Sequence, residues 1–315
     1  MEGAIHGLQG IFEVLFIIGI GFVLAKKNWF DTASSALLTR FIMKISLPLY
    51  LFCNIQKDFT RESLLAMAPD LVLPFASIIA AYIVGRIVVK ILHIHKDRQG
   101  LFIVFFFIAN TIFIGLPVNL ALFGPQSIPS VMLYYMANTV MFWTLGVYHI
   151  VNDTMAGKSG MSMFSLQALK KVFSPPLLGF LVGLAMTLFD LRVPDFVIAS
   201  FQYVGNVATP MALIVIGIEM STIPLTQITW DRDVIGALIG RFVVCPACVL
   251  ILLPFIPVTD MSAKVFTMQA SMPAMTNMTI VAKSVGADVE YSTAVSFISI
   301  ILGMLVIPIY MFIVG

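Results

Sequence analysis

Asn110-Thr111-Ile112-Phe113-Ile114-Gly115-Leu116-Pro117-Val118-Asn119 interrupts an apolar run that extends from about 101 to 123. Pro117 has no N–H to give the carbonyl of Phe113. Its ring also drives Leu116 away from helical geometry, and Gly115 lowers the cost of unwinding. The stretch therefore predicts two half-helices with a break between them. A second stretch, Gln269-Ala270-Ser271-Met272-Pro273-Ala274-Met275-Thr276-Asn277, lies in an apolar run at 263–285. There Pro273 denies Gln269 its partner in the same way. Unwound backbone at membrane depth must be buried in protein or line a cavity. Each new half-helix starts with free N–H donors and about half a positive charge. Two such ends meeting make a site suited to an anion such as a carboxylate.

The rest of the chain agrees with membrane depth. Of 315 residues, 60% are apolar and 11% charged, and the mean hydropathy is +1.01. Soluble domains are roughly 45–50% apolar and about 25% charged. The composition excludes a disordered chain, a coiled coil, a nucleic-acid binder and an ordinary soluble enzyme, and leaves an all-α integral membrane protein. Ten apolar segments are counted, at about 8–25, 36–55, 69–92, 101–123, 128–150, 172–189, 196–218, 234–255, 263–285 and 291–314. They predict one membrane domain of ten transmembrane helices over 1–315, with helices four and nine broken. Residues 1–25 lack the basic start and small-residue cleavage site of a signal peptide, and Lys26-Lys27 close the segment as a cytoplasmic flank would.

One set of connections carries ten basic residues: Lys26, Lys27, Lys90, Lys96, Arg98, Lys158, Lys170, Lys171, Arg232 and Lys283. The opposite set carries four, Lys57, Arg61, Arg192 and Lys264. The richer side is expected in the cytoplasm, which puts both termini outside and the loop 151–171 inside. The chain also looks doubled. Gly85-Arg86-Ile87-Val88-Val89 recurs as Gly240-Arg241-Phe242-Val243-Val244, 155 residues later. Pro117 and Pro273 are 156 apart, and Pro48 and Pro210 are 162 apart. Two five-helix repeats, about 1–150 and 172–315, must enter the membrane from opposite sides because five is odd.

The substrate-site candidates are the groups around the two breaks: Asn110, Thr111, Gly115, Pro117, Gln269, Pro273, Thr276 and Asn277. Asn110 lies about two helical turns before Pro117, and Thr276 and Asn277 are expected in the first turn after Pro273. Lys44 lies roughly ten residues, or about 15 Å, into the second segment. It is read either as part of the substrate path or as half of a structural ion pair. Asn138 is included as a ligand candidate, although helix–helix bonding is its commoner use. Glu13 and Asp70 are the acids considered for ion coupling. Arg40, Arg86 and Arg241 lie close enough to a boundary to snorkel. Cys53, Cys245 and Cys248 are read as packing residues despite the CxxC spacing, because no thioredoxin-like pattern surrounds it. The spacing of His93 and His95 leaves a zinc set incomplete. No catalytic motif or metal set is read, so the expectation is a non-enzyme without a cofactor.

Asn110-Thr-x-x-x-Gly-x-Pro117 resembles the crossover motif of the auxin efflux carrier family, which includes plant PIN-formed auxin carriers and bacterial malate and malonate permeases. Similar matches are Arg40-Phe41, Pro48-Leu49, Ala208-Thr209-Pro210-Met211-Ala212-Leu213 with Gly217, Pro273, Ala282-Lys283 and Ser292-Thr293-Ala294-Val295. They cover essentially the whole chain. The resemblance implies two inverted repeats, a homodimer in the cell membrane, and organic-anion transport. It also implies elevator-type movement of a transport domain (spans 3–5 and 8–10) against a scaffold (spans 1, 2, 6 and 7). The short middle loop is unlike that of the plant carriers and favours a small carboxylate. Two other readings stay open at this point. One is a sodium-coupled symporter of the bile-acid type, and the other a membrane sensor.

Overall fold

The structure is a computed structural model that describes residues 2–154, 173–222, 230–275 and 278–314. In chain order the helices are α1 (Glu2–Lys26), α2 (Thr32–Phe41), α3 (Leu47–Asp58), α4 (Arg61–Met67), α5 (Val72–Ile91), α6 (Gln99–Phe107), α7 (Gly115–Phe123), α8 (Ile128–Met141) and α9 (Val147–Thr154). They continue as α10 (Pro175–Leu188), α11 (Asp195–Gly205), α12 (Ala208–Thr222), α13 (Arg232–Ile239), α14 (Cys245–Leu252), α15 (Asp260–Ala270), α16 (Met278–Val285) and α17 (Val289–Val314). π-helical turns at Ile42–Ser46, Phe142–Gly146 and Gly240–Val244 join α2 to α3, α8 to α9 and α13 to α14. The described residues contain no strand, only one isolated antiparallel bridge between Ala109 and Ala274.

Among the described residues, five helical stretches are long and apolar enough to cross a membrane: Ala33–Asp58, Arg61–Ile91, Asp195–Ser221, Arg232–Leu252 and Val289–Val314. They fall on the second, third, seventh, eighth and tenth expected segments. The fourth and ninth are interrupted, between α6 and α7 and between α15 and α16, but the first gap closes at Gly115, ahead of Pro117, so Leu116 is helical against expectation.

The chain divides into two compact units, each assembled from separated stretches. The first comprises Met1–Pro69, Ile112–Met132 and Phe173–Ile223. Within it α1 packs on α12, and α3 on α10 and α11. The α1–α12 crossing is backbone on backbone. A Cβ on Gly21 would stand 2.3 Å from the Ile214 carbonyl oxygen, and one on Gly217 would stand 2.1 Å from that of Ile18. Small residues at such a crossing bring helices close enough for dispersion to hold them where lipid removes the hydrophobic drive. Polar groups in this unit are used internally: the Ser46 hydroxyl donates to the Val204 carbonyl at 2.6 Å.

The second unit comprises Asp70–Thr111, Leu133–Val172 and Pro224–Gly315. Its centre is α6, in which every residue from Gly100 to Phe107 is buried. A helix apolar on all sides has to be surrounded, and α5, α9 and α13 pack around it. At its base Arg98 donates to Asp288 at 2.7 Å and to Asp231 at 3.1 Å, with its guanidinium 5.2 Å from the Tyr291 ring centre. Burial works against the charged form, but the Asp288 and Asp231 carboxylates outweigh it and hold Arg98 above its ordinary value. The free thiols of Cys245 and Cys248 are buried, and Cys245 donates to the Phe106 carbonyl at 3.1 Å, which is the packing role expected of them.

Candidate functional site

The second unit holds the part of both breaks that pairs. α6 ends at Phe107, and Ile108 turns to extended backbone (φ −98°, ψ 125°). From the other side α15 ends at Ala270, and its last turn closes with the Ser271 N–H on the Met268 carbonyl at 3.0 Å. Pro273 stops it from continuing. The two freed stretches run antiparallel, with the Asn110 N–H donating to the Pro273 carbonyl at 2.8 Å. Broken backbone that helices leave unsatisfied is thereby satisfied across the pair.

Side chains brace the bridge. Asn138, on α8, accepts the Ala109 N–H at 3.1 Å and donates to the Ala109 carbonyl at 3.0 Å. Gln269 donates its Nε2 to the Thr111 carbonyl at 3.2 Å, while its Oε1 is buried with no partner among the described residues. Ser299 on α17 accepts the Ala274 N–H at 3.2 Å and donates to the Ser296 carbonyl at 2.7 Å. Gly303 lets α17 pass Pro273, since a Cβ there would stand 2.4 Å from the proline Cγ. The Asn110, Thr111 and Gln269 side chains are all buried here.

The geometry departs from the expected positions in three ways. Asn110 is not two helical turns before a break; it lies in the extended break itself, because α6 has already ended. Past Pro273 the chain does not turn straight into helix: Ala274 is held in the bridge, and α16 is described over Met278–Val285. Thr276 and Asn277 lie outside the described residues. The third departure is Arg241. It does not snorkel: it sits in the π turn Gly240–Val244, fully buried, and its Nη2 donates to the Ala270 carbonyl.

The other candidates are spread over the fold. Gly115 and Pro117 are buried in the first turn of α7 in the first unit, where a missing N–H leaves no helical bond unmade. Lys44 is exposed in the π turn Ile42–Ser46 and makes no ion pair among the described residues. Glu13 lies on an exposed face of α1. Asp70 is buried in the second unit, and its carboxylate accepts the Thr259 hydroxyl at 2.7 Å and the Thr259 N–H at 3.2 Å. Thr259 is the N-cap of α15, so a negative charge sits at the positive end of that half-helix. Sequence reasoning missed Ala109, Ser299 and Gly303. No local signal marks an alanine or a serine as a bridge partner.

Known proteins give the context. A family model described as membrane transport protein matches residues 6–311. An uncharacterized transporter of Methanocaldococcus jannaschii is 23% identical over 305 residues, covering 94% of this chain and 95% of its own length. An uncharacterized transporter of Methanothermobacter thermautotrophicus is 22% identical over 311 residues, covering 96% of each.

Proposed function

This chain belongs to the membrane transport protein family, that of the auxin efflux carriers, and from that premise we propose that it is a secondary active transporter of small organic anions, carboxylates such as malate or malonate. It is a multi-pass membrane protein. The observation that carries the reading is the bridge between Ala109 and Ala274. Two helices from distant parts of the sequence are opened at one place, and Asn110, Thr111 and Gln269 are gathered there. An amide N–H₂ donates to a carboxylate without a fixed charge, which suits binding that must be reversible.

The finer reading is ten spans in two inverted repeats, working as a homodimer by elevator-type alternating access with both termini outside. The recurrence of Gly85-Arg86 as Gly240-Arg241 supports the repeats. The division of the chain into two compact units supports a moving and a static part. Glu13 and Asp70 are the acids assigned to coupling.

Uptake of labelled malate, malonate, lactate and an indole acid into proteoliposomes, with and without pH and voltage gradients, tests this. Accumulation of at least one acid above empty liposomes is expected, and none would overturn it. Asn110→Asp exchanges two donors for a negative charge and should abolish carboxylate binding in a folded protein. Asn110→Ala should cost about 1.5–3 kcal/mol, the value of one hydrogen bond to a charged group. Wild-type affinity in folded Asn110→Asp would remove the bridge from consideration as the site.

A further inference from the structure

Arg241 is a fully buried cation that no acid pairs among the described residues. Its Nη2 holds the carbonyl of Ala270, the last residue of α15 before the break, and the Tyr134 hydroxyl lies beside the guanidinium. Its Nε and Nη1 have no partner among the described residues. The unit's carboxylates that pair do so elsewhere: Asp231 and Asp288 with Arg98, Asp233 with Arg232, Asp260 with Lys264, Asp70 with Thr259. The negative end of α15 contributes only about half a charge. An isolated ion in such surroundings is costly even after relaxation. A fixed site made only for structure would carry a partner or no charge. In the same unit the Oε1 of Gln269, the residue before Ala270, and the Ser296 hydroxyl are also buried without a partner among the described residues.

We propose that the Arg241 guanidinium is the counter-charge to the transported carboxylate, and that it makes the site prefer an anion over a neutral molecule of the same shape. This rests on the reading of the bridge as the substrate site. The planar guanidinium meets a carboxylate with paired N–H donors, as an ammonium does not. The charge is compensated while the anion is bound and uncompensated when it is not.

The test uses full-length protein in detergent, with malonate as anion, its neutral diamide as isostere, and Arg241→Gln and Arg241→Lys as variants. Wild type should bind malonate and ignore the diamide. Arg241→Gln should melt no lower than wild type without ligand, because an unpaired buried charge has been removed. It should lose malonate affinity by roughly 30-fold or more, the range for losing one partner of a buried charge pair. Arg241→Lys should fall between the two. Failure of wild type to bind malonate or any of the other acids sinks the anion reading itself. Unchanged malonate affinity in a folded Arg241→Gln sinks only the role of Arg241. Misfolding of both variants would show the arginine to be a structural cap on α15, and overturns the proposal equally.

Discussion

Asn138 closes on the Ala109 peptide from both ends, its Oδ1 accepting the Ala109 N–H and its Nδ2 donating to the Ala109 carbonyl. One side chain thus does for Ala109 what a further helical turn would have done. Asn138→Ala should strand both groups in a buried place, at about 1–3 kcal/mol each. The expected result is a clear fall in melting temperature in detergent, with carboxylate affinity of the surviving folded fraction little changed. Loss of affinity without loss of stability would make Asn138 a ligand instead.

Asp70 and Thr259 should be energetically coupled. Asp70→Ala and Thr259→Val each remove the hydroxyl–carboxylate bond, so the double variant should cost less than the sum by about 1–2 kcal/mol. Strict additivity in thermal melts would mean that the contact contributes nothing to stability and that Asp70 is free for another role.

Lys44 is exposed rather than paired. If it borders the substrate path, Lys44→Met should weaken a dianion more than a monoanion, by about 1–3 kcal/mol. Competition binding with malonate and acetate measures this. Equal affinities in variant and wild type would remove Lys44 from the path.

The orientation rests on ten basic residues on one side against four on the other. A cysteine placed at Ser159 in a cysteine-free background should resist an impermeant thiol reagent in intact cells and react once the cells are opened. Ready labelling from outside would invert the assignment.

The breaks were legible because proline acts through covalent geometry, which is local and context-free. The partner of each break was not. The bond from the Asn110 N–H to the Pro273 carbonyl joins residues far apart in sequence, and helical periodicity carries no information about it. For the same reason Asn110 was placed on a helix that had already ended. Arg241 was misread for another reason. Distance to the membrane boundary says how far a side chain must reach, but not which way it points, and that direction is set by a π turn that no residue announces. Arg86, in the matching pentapeptide on regular helix, is exposed and donates to the Tyr82 hydroxyl at 3.3 Å.

A π turn is an insertion that the helix has already absorbed. Deleting a single residue from Gly240–Val244 would restore the ordinary winding and shorten the helix without breaking it. The flanking helices α13 and α14 would keep their facing, because the wide turn had absorbed the extra residue, and only the side chains inside the turn would change direction. Ile42–Ser46, Phe142–Gly146 and Gly240–Val244 are therefore where relatives one residue shorter should differ. A relative that lost its residue at the third of them would keep the arginine in its sequence and turn it away from the Ala270 carbonyl.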